Sequence, residues 1–178
     1  MPRLILINGA PGSGKSTVAA ALAHDESLTL ALDVDAIKHA LGRWDDDPIR
    51  SGLHARQLSI AVAREQLRTG FDVVVGQYLA KTAFIEELEH VAFEGDAEFY
   101  EFVLDVDPDT LADRIAARTT NPDRPEHDIN NRLVRPDDAV DLVRSLEGLR
   151  QTRPAAIWID ARGSLQTTTA AIRMACAR

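Results

Sequence analysis

The chain has 178 residues, which is long enough for one domain that buries its core without cross-links. Its 28 acidic residues against 20 basic residues give a formal net charge of −8. This balance disfavours a protein whose main affinity is for the phosphate backbone of nucleic acid or for anionic lipid.

The chain carries one cysteine, Cys176, which cannot form an internal disulfide and fits a reducing compartment. No apolar run approaches the roughly 18 residues that a membrane span needs. The apolar stretch 4–7 is too short for the core of a signal peptide. We therefore expect a cytoplasmic protein without a membrane partner.

Short apolar segments rich in β-branched residues predict five buried strands that alternate with helical stretches. Three of these segments are continuous apolar runs, which is typical of parallel strands covered on both faces. The alternation predicts a single α/β domain of three layers over residues 1–178, with right-handed crossovers. The predicted strands are residues 3–8, 29–33, 72–76, 98–105 and 156–160.

Two intervals between predicted strands are longer than a simple crossover needs, and such excursions are usually functional. Residues 36–70 contain a polar stretch between a short helix, predicted at 35–41, and a longer one, predicted at 53–69. Residues 119–136 are polar, contain three prolines and predict a loop or lid.

The sequence GAPGSGKST follows the first predicted strand and fits the pattern G-x-x-x-x-G-K-[ST]. Its glycines let backbone N–H groups approach phosphate oxygens, and the helix after it directs its positive end at the same anion. Lys15 is expected to reach the β- and γ-phosphates, and the Ser16 hydroxyl to ligate Mg²⁺. We therefore predict that a nucleoside triphosphate binds to Gly9, Ala10, Pro11, Gly12, Ser13, Gly14, Lys15, Ser16 and Thr17.

With this motif and this order of elements, the chain resembles the small P-loop kinases. This group contains nucleoside-monophosphate, gluconate and shikimate kinases and chloramphenicol phosphotransferase. The resemblance is specific at residues 9–17 and looser elsewhere, although the order of elements fits nearly the whole chain. It implies a P-loop NTPase fold with a five-stranded parallel sheet of order 2-3-1-4-5. It also implies a substrate-binding region at 36–70, an arginine-bearing lid at 119–136, and ATP with Mg²⁺ as cofactors.

Other P-loop classes lack support in the sequence. None of the three lysines lies in the N/T-K-x-D motif with which GTPases read the base, and the L-S-G-G-Q stretch of transporter ATPases is absent. What remains resembles a kinase that transfers the γ-phosphoryl group to a small acceptor.

Asp33 and Asp35 end the second predicted strand, and the carboxyl ends of parallel strands face the ligand crevice. In the relatives an acid at this point accepts the proton of the attacking hydroxyl, and Asp35 matches it best. Asp35 is therefore the candidate general base or acceptor-orienting group. Alternation places Asp33 on the same side, as a helper or a ligand of Mg²⁺ through water. In the alternative interpretation Asp35 caps the helix that begins at residue 36.

The third predicted strand departs from the family pattern. Many relatives end it with an Asp that holds Mg²⁺ through water, whereas this chain reads VVVGQY at 73–78. Gln77 and Tyr78 are predicted to contact the substrate or a metal-bound water. The missing Asp also leaves open an ATP-binding protein that transfers no phosphate.

Arginines dominate the segment after the fourth predicted strand. Arg114 and Arg118 share one face of a helix that starts at Asp107-Pro108, and the lid adds further arginines. Arginine forks stabilise charge on transferring phosphoryl oxygens. The resemblance matches Arg118 and Arg124 best, then Arg114; Arg132 and Arg135 are further lid arginines. The alternative is a solvated helix face.

Acceptor recognition is predicted to fall to Arg43, Trp44 and Arg56, because an aromatic plane and two cations suit an acidic or ring-bearing substrate. By resemblance, residues 161–164 cover the adenine. The leading prediction is an ATP-dependent phosphotransferase acting on a hydroxyl of a small metabolite or antibiotic. A nucleotide or polynucleotide 5′-kinase is the second, disfavoured as a polymer enzyme by the charge, and a non-catalytic ATP-binding resistance or regulatory protein is the third. The sequence leaves the acceptor and the oligomeric state open.

Overall fold

The structure is a computed structural model, and it describes residues 1–120 and 134–177. Five strands in this part form one parallel sheet in the order β2-β3-β1-β4-β5, which confirms the predicted topology. The strands are β1 Arg3–Gly9, β2 Leu30–Leu32, β3 Val73–Gly76, β4 Glu98–Asp105 and β5 Ile157–Asp160.

Both faces of the sheet are covered by helices. Four successive residues of β1, from Leu4 to Ile7, are 0–6% exposed, and successive side chains of a strand point to opposite faces. The helices are α1 Lys15–His24, α2 Val34–Ala40, α3 Pro48–Arg68, α4 Ala83–Glu94, α5 Pro108–Thr120, α6 Ala139–Glu147, α7 Leu149–Thr152 and α8 Leu165–Cys176, with a 3₁₀ turn at Pro136–Asp138.

The central position of β1 places the glycine-rich loop. β1 pairs with β3 on one side and β4 on the other, so its carboxyl end opens between theirs. The loop after β1 therefore emerges at the crevice where ligands bind in sheets of this kind. Leu111 and Ile115 of α5 are fully buried, as their spacing predicts, and Arg114 and Arg118 of the same helix line the crevice.

Helix α3 is longer than predicted. The sequence predicts its start at residue 53, but the helix begins at Pro48 because Asp47 caps it by accepting the N–H of Arg50. Proline at the first helical position is favoured since its missing N–H has no partner there in any case. This signal was present in the polar stretch that the sequence analysis placed between the two helices.

Among the described residues no helix has the length and apolarity to cross a membrane. Most of the predicted lid, including Arg124 and Arg132, lies outside the described residues, so the roles of these two arginines stay predictions.

Candidate nucleotide and acceptor site

The loop between β1 and α1 has the backbone of an anion cradle. Gly12 and Gly14 have φ values of 92° and 96°, in the left-handed region that side chains disfavour. A Cβ on Gly12 would also lie 2.9 Å from Cγ1 of Ile115. The loop is closed by a hydrogen bond of 3.0 Å from the Ser13 N–H to the Ala10 carbonyl. The predicted P-loop residues therefore form one turn against α5 at the start of α1.

The Lys15 ammonium is held over this loop. Its Nζ donates to the Ala10 carbonyl at 2.9 Å. Desolvation lowers the pKa of Lys15 to about 8, and the charge of Arg118 adds to this, while Asp35 acts in the opposite direction. A bound triphosphate would place negative charge beside Lys15 and so stabilise its protonated form.

One cavity of about 710 Å³ joins the loop to residues from five other parts of the chain. It continues past the loop along the carboxyl edge of the sheet to α3 and to the segment before α6. Most of the predicted site residues therefore lie together. The lining residues are Pro11, Gly12, Gly14, Lys15, Ser16, Thr17, Asp35, Arg56, Gly76, Gln77, Tyr78, Arg114, Ala117, Arg118 and Val134.

The two aspartates after β2 have different surroundings. The strand ends at Leu32, and Asp33 is the N-cap of α2, its Oδ1 accepting the N–H groups of Asp35 and Ala36 at 2.9 and 3.1 Å. The prediction that Asp35 caps this helix was therefore wrong. Strand alternation was also the wrong basis for pairing the two, because Asp35 already lies in the first helical turn.

Asp35 is the carboxylate that lines the cavity. Desolvation raises the pKa of Asp35 above its usual range, and the neighbouring charge of Asp33 raises it further. The positive charge of Lys15 acts in the opposite direction, because a nearby ammonium favours the ionised carboxylate. A raised pKa makes the ionised Asp35 a better proton acceptor.

Arg114 and Arg118 both line the cavity, as the shared helix face predicts. Arg118 is half-buried, and desolvation lowers the pKa of its guanidinium. Arg114 bridges two loops: its Nη2 donates to the Ala161 carbonyl at 2.8 Å and its Nη1 to the Ser13 carbonyl at 3.3 Å. Arg114 thereby links the P-loop to the segment after β5.

A smaller cavity of about 180 Å³ adjoins the main one, with Gly12, Gly14, Thr17 and Arg114 common to both. Ser13, Val18, Ala161, Gly163, Leu165 and Thr168 complete its lining. The segment 161–164 therefore lies beside the P-loop, where the resemblance to small P-loop kinases places the residues that cover the adenine.

The three candidate acceptor residues are not brought together. The Arg56 guanidinium lies in the main cavity, 5.2 Å from the Phe84 ring centroid. Arg43 and Trp44 instead line a separate opening near the start of α3. Arg43 pairs with Asp46 at 2.6 Å, and the Trp44 ring lies 4.5 Å from that of His39.

The sequence analysis missed Asn8, which is fully buried at the end of β1. Its Oδ1 accepts the N–H groups of Gly9 and Leu79 at 2.8 and 2.9 Å, and its Nδ2 donates to the Leu79 carbonyl at 2.9 Å. Asn8 thus joins the start of the P-loop to the chain that carries Gln77 and Tyr78. An asparagine just before the first motif glycine was the available signal.

The donor set suits Mg²⁺ held together with phosphates rather than by protein alone. Within residues 1–120 and 134–177 no group of three or more His, Cys, Asp or Glu side chains is placed to hold a metal. Mg²⁺ is commonly bound through one or two protein oxygens plus substrate phosphates. The Ser16 hydroxyl and the Asp35 carboxylate line the same cavity and fit that arrangement. Asp33 does not line it.

A glycine-rich loop between the central strand and its helix, in a sheet of order 2-3-1-4-5, defines the class as a P-loop NTPase of the small-kinase type. The model of the family AAA_33, described as "AAA domain", matches residues 4–161. The chain belongs to this family of P-loop NTPases. A search of curated proteins gives no match.

Solved structures share the fold at low identity. A gluconokinase from Sinorhizobium meliloti 1021 is 21% identical with a TM-score of 0.67, over 99% of this chain and 93% of that one. A tunicamycin resistance protein from Deinococcus radiodurans is 15% identical with a TM-score of 0.64, over 98% and 96%. A chain of the Pnkp1/Rnl/Hen1 RNA repair complex is 18% identical with a TM-score of 0.66, over 85% of this chain and 46% of that one.

Proposed function

We propose that this protein is an ATP-dependent phosphotransferase that moves the γ-phosphoryl group of ATP to a hydroxyl of a small molecule. One observation carries the proposal: Lys15 of the P-loop and the Asp35 carboxylate line a single cavity that continues beyond the loop. A nucleotide-binding loop alone needs no carboxylate of raised pKa beside it. A kinase needs one to take the proton of the attacking hydroxyl.

The nucleotide end of the cavity is built by the P-loop and α5. Backbone N–H groups around Gly12 and Gly14 would surround the phosphates, and Lys15 would shift its Nζ from the Ala10 carbonyl to phosphate oxygen. Arg118 would stabilise charge on the equatorial oxygens. Mg²⁺, held by Ser16, would neutralise phosphate charge when bound.

The acceptor end carries the proton chemistry. Asp35 would receive the proton of the acceptor hydroxyl at a carboxylate oxygen as the new O–P bond forms and the bond to ADP breaks. Its position in the first turn of α2, behind the cap made by Asp33, holds the carboxylate at the cavity. Gln77 would orient the acceptor hydroxyl or a nearby water without adding charge.

The cavity favours a compact, negatively charged or hydroxyl-rich acceptor. Among the described residues that line it, four side chains are cationic against the one carboxylate of Asp35: Lys15, Arg56, Arg114 and Arg118. Arg56 lies on α3, on a different element from the phosphate-binding residues, and no carboxylate of the described residues is within 4.0 Å of it. Arg56 is therefore the residue we assign to an anionic group of the acceptor.

Release of ADP from MgATP tests the proposal, with a panel of hydroxylated metabolites, nucleosides, antibiotics and a short 5′-hydroxyl RNA. Gluconate and tunicamycin belong in this panel because two neighbours carry these names. Release that depends on one acceptor supports the kinase. ATP binding without release in any arm would contradict it and favour the non-catalytic binder, while release with the RNA alone would favour the polynucleotide 5′-kinase.

A further inference from the structure

The inference concerns Tyr78, and it rests on the proposed function. We propose that Tyr78 is a positioning residue. A hydrogen bond between its hydroxyl and Ser145 of α6, here called the tie, holds in place the part of the cavity lining formed by Gln77 and Tyr78, which we call the acceptor wall. The Tyr78 hydroxyl oxygen lies 2.9 Å from Ser145 Oγ. Tyr78 also lines the cavity, so the tie fixes a wall residue from behind.

The number of hydrogen atoms on each hydroxyl group identifies the donor of the Tyr78–Ser145 hydrogen bond. Ser145 Oγ donates to the Leu142 carbonyl at 2.6 Å, and a serine hydroxyl has one hydrogen. Tyr78 is therefore the donor, and Ser145 accepts. Because its hydrogen is used on α6, the Tyr78 hydroxyl is directed at the helix and does not serve as a proton donor to the acceptor.

The bond joins two walls that the chain builds separately. One wall is the edge of the sheet, where Gln77 and Tyr78 follow β3; the other includes Val134, which leads into α6. Tyr78, Val134 and Leu142 all pack on the hydrophobic core. The Tyr78–Ser145 hydrogen bond thus joins the segment after β3 to α6 through side chains.

The other end of the same segment is anchored independently. Asn8 holds the backbone of Leu79 through two hydrogen bonds, and it belongs to the strand that leads into the P-loop. Loss of the Tyr78–Ser145 bond would therefore release the acceptor wall while the nucleotide loop keeps its anchor. A preorganised wall lowers the ordering cost of acceptor binding.

Three single variants and one double variant test this hydrogen bond in the whole 178-residue chain. Tyr78→Phe and Ser145→Ala remove the bond from opposite ends, and Tyr100→Phe is the control. Tyr100→Phe removes a comparable hydroxyl, which has the Glu98 carboxylate at 3.1 Å and the Cys176 carbonyl at 3.2 Å as possible acceptors. Tyr100 does not line the cavity. We measure KM and kcat for the acceptor found in the panel, and the Kd of a fluorescent ATP analogue.

We expect Tyr78→Phe and Ser145→Ala each to raise the acceptor KM about fivefold, with the Kd of the ATP analogue changed less than about twofold. The double variant should match either single one, since both remove the same bond. An unchanged KM in either single variant, additive effects, or an equal rise in Tyr100→Phe would overturn the proposal.

Failure of the proposed function is separately visible, because the wild-type protein would then release no ADP with any acceptor. In that case amide hydrogen exchange of α6 tests whether the Tyr78–Ser145 hydrogen bond stabilises this helix. Faster exchange at residues 139–147 in Tyr78→Phe and Ser145→Ala, but not in Tyr100→Phe, supports it. Unchanged exchange overturns it.

Discussion

The side-chain amide of Asn8 forms hydrogen bonds to both backbone groups of Leu79, at 2.9 Å each. Through this pair, the strand that enters the P-loop and the segment that carries Gln77 and Tyr78 are joined inside the core. Asn8→Ala leaves the Leu79 N–H and carbonyl and the Gly9 N–H without this partner in a buried place. We expect a loss of about 3 kcal/mol in the free energy of unfolding, measured by urea denaturation.

Ser59→Ala is the matched control for that variant. Ser59 is equally buried, but its hydroxyl bonds only to the Ala55 carbonyl within its own helix, so its removal should cost less than about 1 kcal/mol. Equal losses in the two variants would contradict the structural role of Asn8.

Asp35→Asn removes the predicted base while preserving size. We expect acceptor-dependent ADP release to fall about 100-fold or more, with ATP-analogue affinity within about threefold of wild type. Asp45→Asn, in the connection between α2 and α3 and away from the cavity lining, should leave both unchanged. Turnover retained by Asp35→Asn would exclude Asp35 as the base.

The lowered pKa of Lys15 predicts pH-dependent nucleotide binding. With a pKa of about 8, part of the Lys15 population is neutral in the ligand-free protein near that pH, whereas a bound triphosphate favours the ammonium. Binding should therefore take up a proton near pH 8, and affinity should fall as the pH rises above it. Calorimetry in buffers of different ionisation enthalpy measures this uptake.

Two lysine variants assign that proton. Lys15→Met should abolish the uptake and weaken binding, and Lys38→Met should retain it because Lys38 lies over the Trp44 ring outside the main cavity. An affinity that stays constant between pH 7 and pH 9 would contradict the prediction; these pH values are about one unit on either side of the pKa.

Gly12→Ala tests the P-loop backbone. The new methyl group would meet Ile115 at 2.9 Å, at a φ of 92° that alanine disfavours. We expect a loss of about 2 kcal/mol or more in stability and weaker ATP binding. Gly148→Ala is the control, since its Cβ meets nothing within 4 Å and its φ is −59°; it should be neutral or slightly stabilising.

Arg56→Gln and Arg43→Gln separate the two openings near α3. If the acceptor lies in the main cavity and carries an anionic group, Arg56→Gln raises its KM about tenfold with little effect on ATP-analogue binding. Arg43→Gln should change neither, because Arg43 lies in the other opening and pairs with Asp46. The reverse order of effects would move the acceptor site to Arg43 and Trp44.

Local sequence was sufficient for the P-loop and for the order of the sheet. Residues 9–17 act through their own backbone and through the helix that follows them, so a contiguous motif contains the information. The five strands were predicted within one residue at every end, because their apolar runs are short and bounded by polar residues. The first residue of a helix was harder to predict. Asp33 and Asp47 cap helices that the sequence pattern started at other residues, because a cap depends on the direction in which its side chain points.

The sequence by itself determined the class of fold, the nucleotide loop, the arginine face of α5 and the charge of the chain. Only the tertiary structure decided which residues share the cavity. It separated Arg56 from Arg43 and Trp44, chose Asp35 over Asp33, and paired Tyr78 with Ser145 and Asn8 with Leu79. The physical reason is distance along the chain: these last pairs are 67 and 71 residues apart, and no local periodicity relates side chains that meet only when the sheet has assembled.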